Sequence, residues 1–114
     1  MKTLIYLASP YTHENPAVVH QRFDDVCRCA ATLMEKGHHV FSPIAHTHPI
    51  AMVGKLPTHW EFWERYDRAI MECCGRMVVL MLPGWEESKG IKAEIKLAEE
   101  MGLPIVYIEQ EITK

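Results

Sequence analysis

Apolar positions recur along this chain at two different spacings, and the places where the spacing changes outline its elements. Residues 2 to 8, KTLIYLA, are a β-prone run that stops at Ser9-Pro10, which predicts a first strand. Asn15 then stands as an N-cap ahead of Pro16, and Val19, Phe23, Val26, Cys27, Ala30, Leu33 and Met34 recur at helical spacing until Gly37. His38 to Phe41 reads as a brief second strand, cut off at Ser42-Pro43. Residues 42 to 57 carry three prolines and no clear period, so a long functional loop is expected there. Thr58 and Glu61 have the spacing of a capping box, and Trp60, Trp63, Tyr66, Ile70, Met71 and Cys74 mark the apolar face of the helix they open. Arg76 to Leu82 is almost continuously apolar, as expected of a strand covered on both sides. A further helix follows Pro83-Gly84, and Gly102 and Pro104 turn the chain into a last strand, residues 104 to 109.

Strands alternating with helices predict one α/β domain over residues 1 to 114, a mainly parallel sheet with helices on its faces. In such sheets ligands bind outside the carboxyl ends of the strands. That puts Ser9 to His13, the 42 to 57 segment and Gly84 to Gly90 on one rim.

Two carboxylates break the pattern. On the last helix, Lys89, Lys92, Lys96, Glu99 and Glu100 share a polar arc, whereas Glu94 falls among Gly90, Ile91, Ile95, Leu97, Ala98 and Met101. None of its neighbours three or four residues away, Gly90, Ile91, Leu97 and Ala98, is a cation. Asp67 repeats the anomaly among Trp63, Ile70, Met71 and Cys74. A buried carboxylate is costly unless it is paired or loses its charge. For each acid alone, an ion pair, a helix-cap acceptor or a subunit interface is as good an account as chemistry. Together, above one crevice, they point to a site.

Composition narrows the partners. A net charge of -3 and interspersed basic residues argue against a polymeric nucleic-acid partner. No apolar run approaches transmembrane length, so no membrane partner is expected and the chain is read as cytoplasmic. Cys27 and Cys29, and the adjacent Cys73 and Cys74, sit in helical patterns with poor geometry for local disulfides, and reduced, mostly buried thiols are expected.

Ser88-Lys89-Gly90 opens the Glu94 helix, where free amide groups and the Ser88 hydroxyl suit an anion and Gly90 allows close approach. Serine is equally a plain N-cap. The strand ending I-Y-L-A-S-P-Y, the aspartate on the helix before V-V-L-M-L, and G-W-x-x-S-x-G-x-x-x-E together resemble the nucleoside 2-deoxyribosyltransferase superfamily, and within it a small branch. The likeness spans nearly the whole chain. It implies a flavodoxin-like, Rossmann-like three-layer sandwich that cleaves the N-glycosidic bond of a nucleoside or nucleotide without a cofactor or metal. It implies further that Glu94 is the nucleophile, that Asp67 binds the sugar or handles the leaving base's proton, and that Tyr6 orients Glu94. Transferring relatives carry an aspartate six residues before the nucleophile. Ser88 stands there in this chain, which is more similar to nucleotide hydrolases whose serine contacts a 5′-phosphate. The expected function is therefore hydrolysis of a (deoxy)nucleoside 5′-monophosphate, with a deoxyribosyltransferase or an inactive nucleotide-binding module as alternatives.

Other rim residues fill out the expected substrate site. Ser9, Ser88 and Gly90 are candidate contacts, and Arg22 suits either a phosphate or an acid such as Asp25. Tyr11 and Trp85 suit either a stacked base or core and interface packing. His46 and His48 have the spacing of a metal pair but no third ligand fixed by spacing, so no metal site is assigned. The resemblance also implies a homo-oligomer with active sites near subunit interfaces, which the aromatics around Trp60 and Trp63 would fit.

Overall fold

The computed structural model describes residues 1–110. Its elements are β1 (Leu4–Ala8), α1 (Pro16–Glu35), β2 (His39–Phe41), α2 (Pro43–Gly54), α3 (Trp60–Met71), β3 (Arg76–Met81), a 3-10 turn (Trp85–Glu87), α4 (Lys89–Glu100) and β4 (Ile105–Glu109). The four strands form a single parallel sheet in the order β2-β1-β3-β4, flanked by helices in a flavodoxin-like α/β arrangement. The chain goes from β1 outward to β2, then crosses back to β3 on the other side of β1. The carboxyl ends of β1 and β3 therefore border the point where the winding reverses, the usual ligand crevice of such sheets.

Strand alternation divides the core into two layers. Tyr6 and Ala8 of β1 and Met77 and Val79 of β3 face Met71, Ile91, Leu97 and Ala98 of α3 and α4. Ile5 and Leu7, with Val78 and Leu80, face Val26 and Ala30 of α1. Tyr6 thereby points to the layer that holds both anomalous acids.

The helix ends follow the chemistry of their caps. Asn15 accepts from the Ala17 amide at 3.0 Å with Pro16 at the first helical position. Gly37, at φ +92°, reverses the chain after α1, and the His38 amide bonds the Leu33 carbonyl at 3.1 Å.

Two expectations are corrected. Residues 42 to 57 are not a loop: Pro43–Gly54 is helix α2, capped by Ser42, whose hydroxyl accepts from the Ala45 amide at 3.1 Å. Ser42-Pro43 repeats the cap-and-proline start of α1, and Pro49 is carried inside the helix at the loss of one backbone bond. Apolar residues lie all around α2, which is why no period shows. Nor do Thr58 and Glu61 form a capping box, because His59 is the N-cap of α3 and its ring accepts from the Phe62 amide at 3.3 Å. The thiols also differ from expectation: only Cys74 is buried, Cys27 and Cys29 are half-buried, and Cys73 is exposed. Among the described residues no helix is long and apolar enough to cross a membrane.

Candidate functional site

A cleft of about 290 Å³ opens at the carboxyl ends of β1 and β3. Ser9 and Tyr11 line it after β1, Ser88 and Gly90 line it at the start of α4, and Asp67 and Glu94 line it from α3 and α4. Residues 67, 94, 9, 11, 88 and 90 were separate candidates along the chain, and the fold brings them to one cavity wall.

Glu94 lies beneath this wall, 7 % exposed. The fully buried Tyr6 hydroxyl donates to its Oε2 atom. Burial is the main force on the Glu94 carboxyl, followed by repulsion from Asp67, and together they push its pKa up to about 8 against the opposing pull of the Tyr6 hydrogen bond. Asp67, also 7 % exposed, is raised to about 7 by burial. The Tyr6 phenol is held well above its ordinary value by its own burial and then by the two acids. Near neutral pH the two carboxyls thus retain protons that exposed acids would have lost.

Two buried polar atoms in the cleft wall, Ser9 Oγ and Asp67 Oδ1, have no hydrogen-bond partner. Such atoms are costly to leave unmade inside a protein, and a polar ligand satisfies them. Ser88 caps α4 by accepting from the Ile91 amide at 3.2 Å, which leaves its own proton free to donate. A side-chain carbon at Gly90 would meet nothing nearer than Ser88 Oγ at 3.9 Å, so the backbone here is open to close approach.

The structure places Arg22 and Trp85 elsewhere. Arg22 lies outside the lining of this cleft and does not pair with Asp25; it donates to the Thr12 carbonyl at 2.9 Å and the Pro83 carbonyl at 3.1 Å. Since Thr12 Oγ1 donates to the Thr58 carbonyl at 3.0 Å, one run of bonds ties three rim segments together. Asp25 pairs instead with Arg28 at 3.3 Å. Trp85 packs on the α3/α4 core layer, with its ring 5.7 Å from that of Tyr107.

Several participants were invisible along the chain. Pro43, Ile44, Thr47 and Ala51 of α2 line the cleft at helical spacing, which a loop reading conceals. Lys89, placed on the solvent arc, lines the mouth and pairs with Glu61 across it. His46 and His48 diverge on α2: His46 stacks near Tyr66 with centroids 6.2 Å apart, and His48 is buried against Tyr11. Among the described residues no group of three or more His, Cys, Asp or Glu side chains could hold a metal ion.

The family described as "Domain of unknown function (DUF1937)" matches residues 3–110. The chain belongs to that family. No curated protein matches it. The DUF1937 match runs from the first residues before β1 to the end of β4, so it takes in every element that builds the cleft.

Proposed function

We propose that this protein hydrolyses the N-glycosidic bond of a nucleoside 5′-monophosphate, with Glu94 as nucleophile and water as the final acceptor. The observation that carries the reading is the arrangement at the cleft wall: a buried carboxyl held by a phenol donor, with a second, proton-retaining carboxyl near enough to repel it.

A retaining glycosidase needs one carboxylate to attack the anomeric carbon and one acid to protonate the departing group. Asp67, whose pKa lies near neutrality, suits the acid. In the free protein Glu94, at about 8, holds its proton longer than Asp67, at about 7, and the Tyr6 donor works against that order by favouring charge on Glu94. The positive charge that develops on the sugar in the transition state strengthens that preference, since it attracts an anion and repels a proton. Attack by Glu94 and proton transfer from Asp67 release the base and leave a glycosyl ester. Ser9 Oγ and Asp67 Oδ1, both without partners, offer hydrogen bonds to sugar hydroxyls. The Ser88 hydroxyl and the first amides of α4 suit the 5′-phosphate. Phe62 and Tyr66, exposed on α3 beside the cleft, support a homo-oligomer as part of the same reading.

The burial of Glu94 also favours a second reading, a nucleotide-binding module without turnover. A carboxyl that keeps its proton to about pH 8 is a poor nucleophile at neutrality. One experiment separates the two: chromatography of free base after incubating wild type and Glu94→Ala with nucleosides and their 5′-monophosphates, with and without an acceptor base. Base release from monophosphates by wild type alone is the expected result. Release that needs the acceptor base assigns a transferase. Thermal stabilisation by nucleotides without release of base assigns the binding module.

A further inference from the structure

Tyr11 and His48 make a contact that the two carboxyls do not require. Tyr11 follows β1 and lines the cleft, while His48 is carried on α2, which also contributes Thr47 to the cleft wall. The Tyr11 hydroxyl lies 2.5 Å from His48 Nδ1, with the two rings edge to face at 5.4 Å. His48 is 7 % exposed and its ring centroid lies 4.5 Å from that of Phe23. Burial, helped by His20, disfavours its cationic form. With the one ring proton of the neutral imidazole assigned to Nε2, Nδ1 presents a lone pair and the phenol donates to it. A phenol has one proton. With that proton committed to His48, the Tyr11 oxygen offers the cleft only lone pairs, and whatever it meets there must be a donor.

The second step of the reaction proposed above supplies such a donor. Water that attacks the anomeric carbon must shed a proton, and the Glu94 oxygen is the group being displaced. Resting on the N-glycosidase reading, we propose that Tyr11, as a catalytic residue, and His48, as the residue that positions it and receives its proton, together accept the proton of the water that resolves the glycosyl-enzyme. The water oxygen forms a bond to the anomeric carbon as the bond from that carbon to Glu94 breaks, and the electron pair returns to the Glu94 carboxylate. The water proton passes to the Tyr11 oxygen while the phenol proton passes to His48 Nδ1. When the product leaves, the relay reverses: the Nδ1 proton returns to the Tyr11 oxygen, and the proton taken from water leaves through the cleft that Tyr11 lines. This restores the starting tautomer, and the burial that disfavours the imidazolium drives the return.

The test is rapid-quench measurement of base release from a 5′-monophosphate that wild type cleaves, with intact-protein mass spectrometry, on wild type, Tyr11→Phe and His48→Asn. The amide that His48→Asn introduces keeps an acceptor near the place of Nδ1 but takes up no proton, so this variant separates positioning from proton transfer. Both variants are expected to release a burst of about one equivalent of base and then slow by about 10²-fold or more, as loss of a general base does. A glycosyl adduct is expected to accumulate on Glu94, and azide, which attacks without losing a proton, to restore turnover. Wild-type turnover in both variants would assign the proton to Asp67 and overturn the dyad. Loss of the burst together with steady-state turnover in folded protein would place the pair in the first step and overturn it as well. A wild type that releases no base from any substrate defeats the N-glycosidase reading itself, an outcome distinct from either.

Discussion

Tyr6 and Glu94 are 88 positions apart in sequence, yet the phenol of one donates to the carboxyl of the other inside the protein. The contact exists because β1 alternates its side chains between two layers and α4 lies across one of them. It turns an acid that is out of place on an amphipathic helix into one end of a buried pair.

Removing that donor shifts the pair. The Tyr6 hydrogen bond lowers the Glu94 pKa, so Tyr6→Phe raises it further and leaves less carboxylate at neutral pH. Activity is expected to fall about 10- to 100-fold at pH 7, given that one charge-assisted hydrogen bond contributes roughly 1.5–3 kcal/mol. The rising limb of the pH–rate profile is expected at higher pH than in wild type.

Asp67→Asn acts in the opposite sense. Asp67 raises the Glu94 pKa by repulsion, so a neutral amide lets Glu94 ionise at lower pH. With a substrate whose leaving base needs no protonation, the rising limb of the pH–rate profile moves downward. An upward or unchanged limb would show that the two carboxyls do not titrate together.

Stability against pH follows from the same shifts. Glu94 and Asp67 have folded pKa values of about 8 and about 7, above those of the unfolded chain, so the folded state binds more protons between about pH 4 and pH 8. Their contribution is fully present below the ordinary carboxyl range and is lost as the pH rises to about 8. Glu94→Gln removes the larger part of this loss. Its melting temperature is expected to exceed that of wild type at about pH 8 by several degrees, the gap closing toward about pH 5, as read by thermal melts across that range.

Arg22→Ala unties the rim. Arg22 bonds two backbone carbonyls, of Thr12 and Pro83, that belong to segments following β1 and β3. Its loss is expected to cost about 1–3 kcal/mol in denaturant unfolding and to raise KM more than it lowers kcat. Arg22→Lys is expected to recover little, because an ammonium lacks the planar fork that reaches both oxygens. Gly84→Ala tests the same contact, since the new carbon would stand 2.8 Å from Arg22 Nη2 at a backbone φ of +87°.

Strands β1 and β3 were legible because burial on both faces leaves short, nearly continuous apolar runs between turn residues, and helices α1 and α4 because each buries one face, which writes its period into the sequence. Glu94 and Asp67 were legible for the same reason, as charges where the period calls for apolar groups. Helix α2 was not, because its apolar residues go all the way round and its prolines read as breaks. With α2 taken for a loop, Thr47 and Ala51 had no face to share and His48 no direction. Arg22 offered a charge without a partner, and nothing local says that backbone carbonyls on two separate segments will claim it.

Local periodicity, caps and turn residues follow from interactions within a few residues, so the sequence alone determined that this chain alternates strands with helices. It also determined that two acids must be buried. Which groups meet those acids depends on strand order and on how helices cross the sheet, and these are fixed by packing between segments far apart in sequence. Only the tertiary structure decided that Tyr6 reaches Glu94, that Arg22 ties the rim, and that the Tyr11 hydroxyl meets His48 Nδ1.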